Sequence, residues 1–275
     1  MRFLASIQAS FKLIFKERRR LVPVLLLDLT FLVLFALVHT FIVLQALPDL
    51  SAINQLVAQE SQNVPQMPDA DIDPSHLQFS FPMESFQPRY AAVLEYTAIY
   101  LAIMFMLYNL LFAFAWLRTS TVCRRRPMPY WAYLKRFLIV NAIWALVFLL
   151  GSYAMILVSA ATMFGEVALV SQWVVDAAGA LLGVLLLYFV MISHTLVIDR
   201  KVFPLLKKTF VVGVKKIASA GPAFLLILLV YYAIFQLISL ASLSSALLPF
   251  VLLMLLFLPW MTASRALFML AAEPR

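Results

Sequence analysis

Residues 16–47 read KERRRLVPVLLLDLTFLVLFALVHTFIVLQAL, four basic residues around Glu17 followed by 27 residues in which Asp28 and His39 are the only ionisable side chains. A run of about 20 apolar residues crosses a hydrocarbon core of about 30 Å as a helix, so this stretch is long enough to span a bilayer. It also exceeds the roughly 7–15 apolar residues of a cleaved leader, contains an acid and ends without an A-x-A site, so it reads as a retained span. Its apolar residues are continuous and do not alternate, which favours a helix over a barrel strand.

Working outward, five further runs have the same character. The spans are expected at about 21–47, 90–117, 137–163, 174–198, 221–243 and 246–270. The composition agrees: 64% of the 275 residues are apolar, 12% are charged and the mean hydropathy is +0.97. A soluble domain is roughly 45–50% apolar and about 25% charged, so the excess has no interior large enough to hold it. The fold class expected is all-α, a polytopic membrane protein with six transmembrane helices.

Charge sorts the connections into two sets. Residues 1–20 carry six Lys or Arg against Glu17, residues 118–136 carry Arg118, Arg124, Arg125, Arg126, Lys135 and Arg136 with no acid, and residues 199–220 carry six basic residues against Asp199. Residues 48–89 instead carry Asp49, Glu60, Asp69, Asp71, Asp73 and Glu84 against Arg89, and 164–173 carries Glu166. The positive-inside rule places the first set in the cytoplasm and the second outside, with both termini inside and Arg265 near the end of the last span in agreement. Most of the net charge of +8 is then topology, and it gives no reason to expect a nucleic-acid partner.

The opening basic segment has a counterpart. Residues 10–23, SFKLIFKERRRLVP, and 209–222, TFVVGVKKIASAGP, share a hydroxyl residue, then Phe, then basic residues, then a proline thirteen positions after the hydroxyl. At helical spacing, Phe3, Leu4, Ile7, Phe11, Ile14 and Phe15 make an apolar stripe in the first, with Lys12, Lys16 and Arg19 off it. In the second, Phe203, Leu206, Phe210, Val214 and Ile217 make the stripe, while Lys201, Lys208 and Lys215 recur on another face. Both are expected to be amphipathic helices, over 1–20 and 200–220, lying in the cytoplasmic interface. Lys201, Lys207, Lys208, Lys215 and Lys216 would then contact anionic headgroups of the lipid bilayer. The two helices would also serve as elbows that set the tilt of the next span, and both readings can hold at once. YWAYLKRF, before the third span, is a shorter and less clear third copy.

Polar side chains inside spans are costly and are the natural candidates for a site. Asp28, Asn109, Asn141 and His194 fall at similar depth in the cytoplasmic half. They fit two arrangements: a cytoplasm-facing polar cavity with Asp28 and His194 as a protonatable pair, or separate hydrogen bonds to neighbouring helices, with Asp28 paired to a snorkelling arginine of the 18–20 cluster. His39, Glu95 and Gln236 are further polar positions within spans. Pro23 and Pro222 are expected in the first turn of their helices, where the missing amide hydrogen costs nothing, and Pro259 should kink the sixth span.

The acidic loop 48–89 has six of the fourteen prolines and no glycine. Its LSAINQLVAQ would extend the first helix, and its HLQFSF alternates as a surface-lying extended segment would. Asp69, Asp71 and Asp73 have the alternate spacing that opens a calcium loop, but Pro74 stands where the turn needs glycine and Ser80 where a bidentate glutamate is needed, so no metal is expected. The chain has one cysteine, Cys123, three histidines without an H-E-x-x-H pattern, and six scattered glycines that make no phosphate loop. No cofactor and no catalytic residues are expected. Asp28, His194 and Asp199 are the only group from which a membrane-embedded enzyme could be built.

Together, SFKLIFKERRRLVPVLLL, the acidic loop after the first span and LVIDRKVFPLLKKTFVVGVKKIASAGPAFLLILLV resemble a six-span family. It includes the membrane domain attached to some bacterial glycerophosphodiester phosphodiesterases and stand-alone inner-membrane proteins of the YciC type. The resemblance runs over nearly the whole chain and implies an architecture in the inner, cytoplasmic membrane. It does not imply phosphodiesterase activity, because that domain and its catalytic carboxylates and histidines are not in the sequence. The function expected is non-catalytic, organising the membrane or interacting with lipid, a protein partner or a second copy of the chain. The alternative is a transporter or permease subunit working through a polar cavity.

Overall fold

A computed structural model of the chain describes residues 2–63, 83–124, 128–164, 172–198, 202–243 and 248–272. Asp69, Asp71, Asp73, HLQFSF, Asp199 and Lys201 lie outside these residues. The elements are α1 (Arg2–Lys16), α2 (Arg18–Asn63), α3 (Met83–Arg124), α4 (Tyr130–Phe164), α5 (Gln172–Leu196), α6 (Val202–Lys215), α7 (Ile217–Ser242), α8 (Leu248–Leu252), a π turn (Leu253–Phe257) and α9 (Leu258–Ala271). Every element among the described residues is helical, and six helical stretches are long and apolar enough to cross a membrane: Arg18–Gln59, Met83–Cys123, Tyr130–Ser159, Trp173–Leu196, Ile217–Ser242 and Leu248–Ala271. These features mark a multi-pass membrane protein, and the six stretches coincide with the six expected runs.

Two of the helices outlast their apolar runs. At 46 residues α2 is about 69 Å long, more than twice the hydrocarbon thickness, and it includes LSAINQLVAQ as expected. The described residues fall into two compact units, one of residues 31–107 and one of residues 1–30 with 108–275. In the first, α2 and α3 run antiparallel and are joined by side chains. Asp49 and Arg89 form an ion pair at 3.6 Å, and the His39 ring stacks on Phe35 and meets the edge of Tyr100 at 5.8 Å. His39 and Glu95 are exposed there.

The larger unit holds the core. Phe137, Val140 and Trp144 of α4, Tyr188, Ile192 and Leu196 of α5, Phe224 and Ile227 of α7, and Leu267 and Phe268 of α9 are buried in one apolar cluster. A smaller cluster joins Leu21 and Val24 of α2 to Ala115 of α3, with Ile14 of α1 against it. Between α5 and α6 the packing is close enough that a Cβ at Gly213 would come within 2.6 Å of the Phe189 ring. The Tyr188 hydroxyl donates to the Gly213 carbonyl at 2.8 Å across the same contact.

The two basic segments fold alike down to single hydrogen bonds. In the first, α1 ends at Lys16 and α2 starts at Arg18, so Glu17 alone breaks the helix. The Glu17 amide donates to Leu13 at 2.8 Å, and the Glu17 carbonyl accepts from Arg20 at 2.9 Å and Leu21 at 3.2 Å. In the second, Lys216 alone separates α6 from α7. Its amide donates to Val212 at 2.8 Å, and its carbonyl accepts from Ser219 at 2.9 Å and Ala220 at 2.8 Å. The offset of 199 residues that aligns Ser10 with Thr209 aligns every one of these atoms. The hydroxyls themselves are buried and turned back on their own helices, Ser10 onto Ile7 at 2.7 Å and Thr209 onto Leu205 at 3.0 Å. Leu21 and Val24 in one copy, and Ala220 and Ala223 in the other, are buried at matching positions.

That break corrects the placement of the prolines. Because each helix restarts at residue 18 or 217, Pro23 and Pro222 are both sixth residues, in the second turn, where each removes an amide that the helix would use. YWAYLKRF forms no third elbow: it makes up the first turns of an uninterrupted α4. In the sixth span the helix widens into the π turn directly before Pro259, and the Leu258 amide reaches back five residues to the Leu253 carbonyl. A π turn is a recognised way to absorb a break in the α-helical ladder, and here it takes up the distortion expected of Pro259.

Candidate functional site

The four polar residues expected at one depth divide into two groups. Asn141 of α4 donates through its Nδ2 to the Asn109 side-chain oxygen of α3 at 2.9 Å, and its own Oδ1 faces His194 Nε2 of α5 at 2.7 Å. All three are buried. With the amide so oriented, Nε2 carries the proton and donates, and a neutral imidazole keeps its lone pair on Nδ1. The ring is fixed further by stacking on Phe137 at 4.6 Å and by the edge of Trp116 at 5.3 Å. The result is a polar bridge across α3, α4 and α5 whose members satisfy one another. Trp144 adds a second tie between α4 and α5, donating to Ser193 at 3.1 Å.

Asp28 belongs to the other group. Its partners are Thr262, which donates at 3.0 Å, and Arg265, which donates to the same carboxylate oxygen; both stand on α9. The protonatable pair of Asp28 with His194 is therefore replaced by an ion pair with Arg265. Coulombic attraction favours that choice, because a carboxylate in a low-dielectric interior is far better compensated by a permanent cation than by an imidazole. Asp28 is 1% exposed and Arg265 3%. Among the described residues the second Asp28 oxygen and the Arg265 Nε have no hydrogen-bond partner. The Arg265 guanidinium also lies over the Phe112 ring, 5.6 Å from its centre.

A cavity of about 200 Å³ brings the two groups together, because His194 and Arg265 both line it. Its other walls are mainly apolar or aromatic and come from α3 (Tyr108, Phe112, Trp116), α5 (Leu187, Val190, Met191), α7 (Phe224, Ile227, Leu228, Tyr231) and α9 (Met261, Ser264). The Tyr231 and Ser264 hydroxyls are 3.2 Å apart. Of the four expected cavity residues, His194 alone is among the lining residues, and the cavity is much less polar than their grouping implied. Arg265 was legible in the sequence as a marker of orientation. Tyr231, Ser264 and Trp116 carried no such signal.

The elbows present a second candidate surface. On α6 the face toward the protein is Leu205, Thr209, Val212 and Gly213, all buried. The expected stripe divides: Leu206 is half-buried against the core, while Phe203 is 83% exposed and Phe210, Val214 and Ile217 are also exposed. Lys207 and Lys215 are exposed beside it, and Lys208 and Lys216 are half-buried. On α1 the expected stripe divides: Ile7 and Ile14 pack inward beside Ser10, and Leu4, Phe11 and Phe15 remain exposed. Among the described residues no three His, Cys, Asp or Glu side chains gather as a metal site. Gln236 is exposed on α7. Comparison of the chain with protein-family models, with curated proteins and with solved structures finds no match.

Proposed function

We propose that this chain is a non-catalytic, lipid-interacting protein of the cytoplasmic membrane, with both termini inside and two elbow helices in the inner interface. The observation that carries this reading is the exposed stripe of Phe203, Phe210, Val214 and Ile217 on a helix whose opposite face is already buried, with Lys207 and Lys215 exposed beside it. On this side Phe210 meets the Phe189 and Trp144 rings while Phe203, Val214 and Ile217 stay exposed, and apolar side chains flanked by lysines match the acyl boundary and anionic headgroups of a leaflet. The exposed Leu4, Phe11 and Phe15 of the first elbow support the same placement. The architecture is also what the resemblance to the YciC-type family implies, and that relationship remains part of the proposal.

The competing reading, a solute permease, draws on Asn109, Asn141 and His194. Their mutual hydrogen bonds favour a structural bridge between three helices over a path for a polar solute. The test is native mass spectrometry of the full chain purified in mild detergent, compared with a Lys207→Glu, Lys208→Glu, Lys215→Glu variant. Each lysine is expected to contribute about 1 kcal/mol to retention of anionic lipid, so the triple variant should lose it. Unchanged lipid retention, or a retained small polar solute in place of lipid, overturns the reading.

A further inference from the structure

The cavity at His194 and Arg265 has a size, a polarity and a way in that together specify a ligand class. Its volume of about 200 Å³ lies above the roughly 150 Å³ that holds one benzene and below the roughly 300–1,000 Å³ of sites for drug-sized ligands. It therefore takes one small head group or one short chain segment, and not the two chains of a phospholipid. Its charge is already balanced, because the one cation among its lining residues, Arg265, is bonded to Asp28. A bare anion entering there would leave a buried net charge, which is strongly opposed in a low-dielectric interior. An uncharged oxygen-bearing head is not opposed, and the Tyr231 and Ser264 hydroxyls of the lining residues offer it polar partners. Leu187 lines the cavity and is nevertheless 44% exposed, so the cavity reaches the outside of α5. It stands seven residues, about 10 Å along the helix, from His194. The opening is thus lateral, through the side of a span.

We infer that this cavity binds the head of an uncharged, single-chain amphiphile carrying an ester, carbonyl or hydroxyl oxygen, with its tail leaving past Leu187. The inference rests on the reading of the chain as a lipid-interacting protein, but on a different region from the elbows. The test uses the purified full chain in lipid nanodiscs and a monoacylglycerol bearing a diazirine in its acyl chain. Light-induced crosslinks are expected on the peptides carrying Leu187 and Leu228, with monoolein competing about tenfold better than oleate. Leu187→Trp at the mouth and Leu228→Trp in the wall, substitutions that leave the ion pair intact, should each cut labelling about tenfold. Equal labelling of both variants, or competition by oleate as effective as by monoolein, overturns the inference. Crosslinks confined to the groove between α4 and α5 at Gly151, Gly179 and Gly183 overturn it too, while leaving the wider lipid reading in place. Conversely, cavity labelling together with lipid retention unaffected by the lysine reversals would remove the elbows' role and keep this one.

Discussion

The two elbows, residues 7–28 and 206–227, repeat one backbone with different means of attachment. Their breaks at Glu17 and Lys216 share a hydrogen-bond pattern, and their buried hydroxyls at Ser10 and Thr209 both turn back onto their own helices, Ser10 three residues back and Thr209 four. The contacts that hold them diverge. Where the first has Asp28, tied to α9 by an ion pair, the second has Ile227, buried against Phe224 and the α5 core. Where the first has the half-buried Ile14, the second has Gly213 and a much closer approach to its neighbour. The turn geometry is therefore set by local helix physics, and the docking is set position by position by what each copy meets.

Exchanging those positions should separate the two layers. The largest effect is expected at the ion pair. Arg265→Leu leaves Asp28 buried and uncompensated and should cost about 3–5 kcal/mol, whereas adding Asp28→Leu should restore most of that loss. Equilibrium unfolding in detergent of the two single variants and the double variant gives the coupling energy, and an additive cycle would show that the two residues do not act as a pair. Next comes Gly213→Ile, which gives the second elbow the first one's residue. The side chain must push into the Phe189 ring, for an expected loss of about 1–3 kcal/mol in the same assay. The smallest change is expected from trading hydroxyls, Ser10→Thr and Thr209→Ser. Each retains the bond to its own helix and alters one buried methyl, so each should stay within about 1 kcal/mol of the parent protein. A larger loss at one site alone would show that the elbows are less equivalent than their backbones.

The spans were legible in the sequence because a run of some twenty apolar residues has one physical meaning; their number holds in the structure, and the first extends past its expected end at 47 to Gln59. The elbow repeat was legible because hydroxyl, basic residues and proline recur at fixed spacing. Its hinge was not: nothing in the composition of Glu17 or Lys216 marks a one-residue break, and the helices that hold Pro23 and Pro222 begin five residues before them. At the site, Asp28, Asn109, Asn141 and His194 stood out because polar groups are expensive in a membrane, yet their pairing was hidden. Asp28 and Arg265 are 237 positions apart, and no periodicity links them. The cavity walls were hidden for a different reason. Lipid is as apolar as a protein core, so a phenylalanine that faces the bilayer and one that lines a cavity, such as Phe235 and Phe224, look alike in sequence.

The π turn at Leu253–Phe257 bears on how this arrangement is tuned. A bond reaching back five residues accommodates one residue more than an α-helical turn does, so every side chain beyond it is rotated by about 100° relative to a regular helix. Thr262 and Arg265 lie beyond it. The turn acts as a phase shifter: it aims the last four turns of the sixth span without altering their sequence, and loss of a single residue there would swing the cation away from Asp28 and from the cavity wall together.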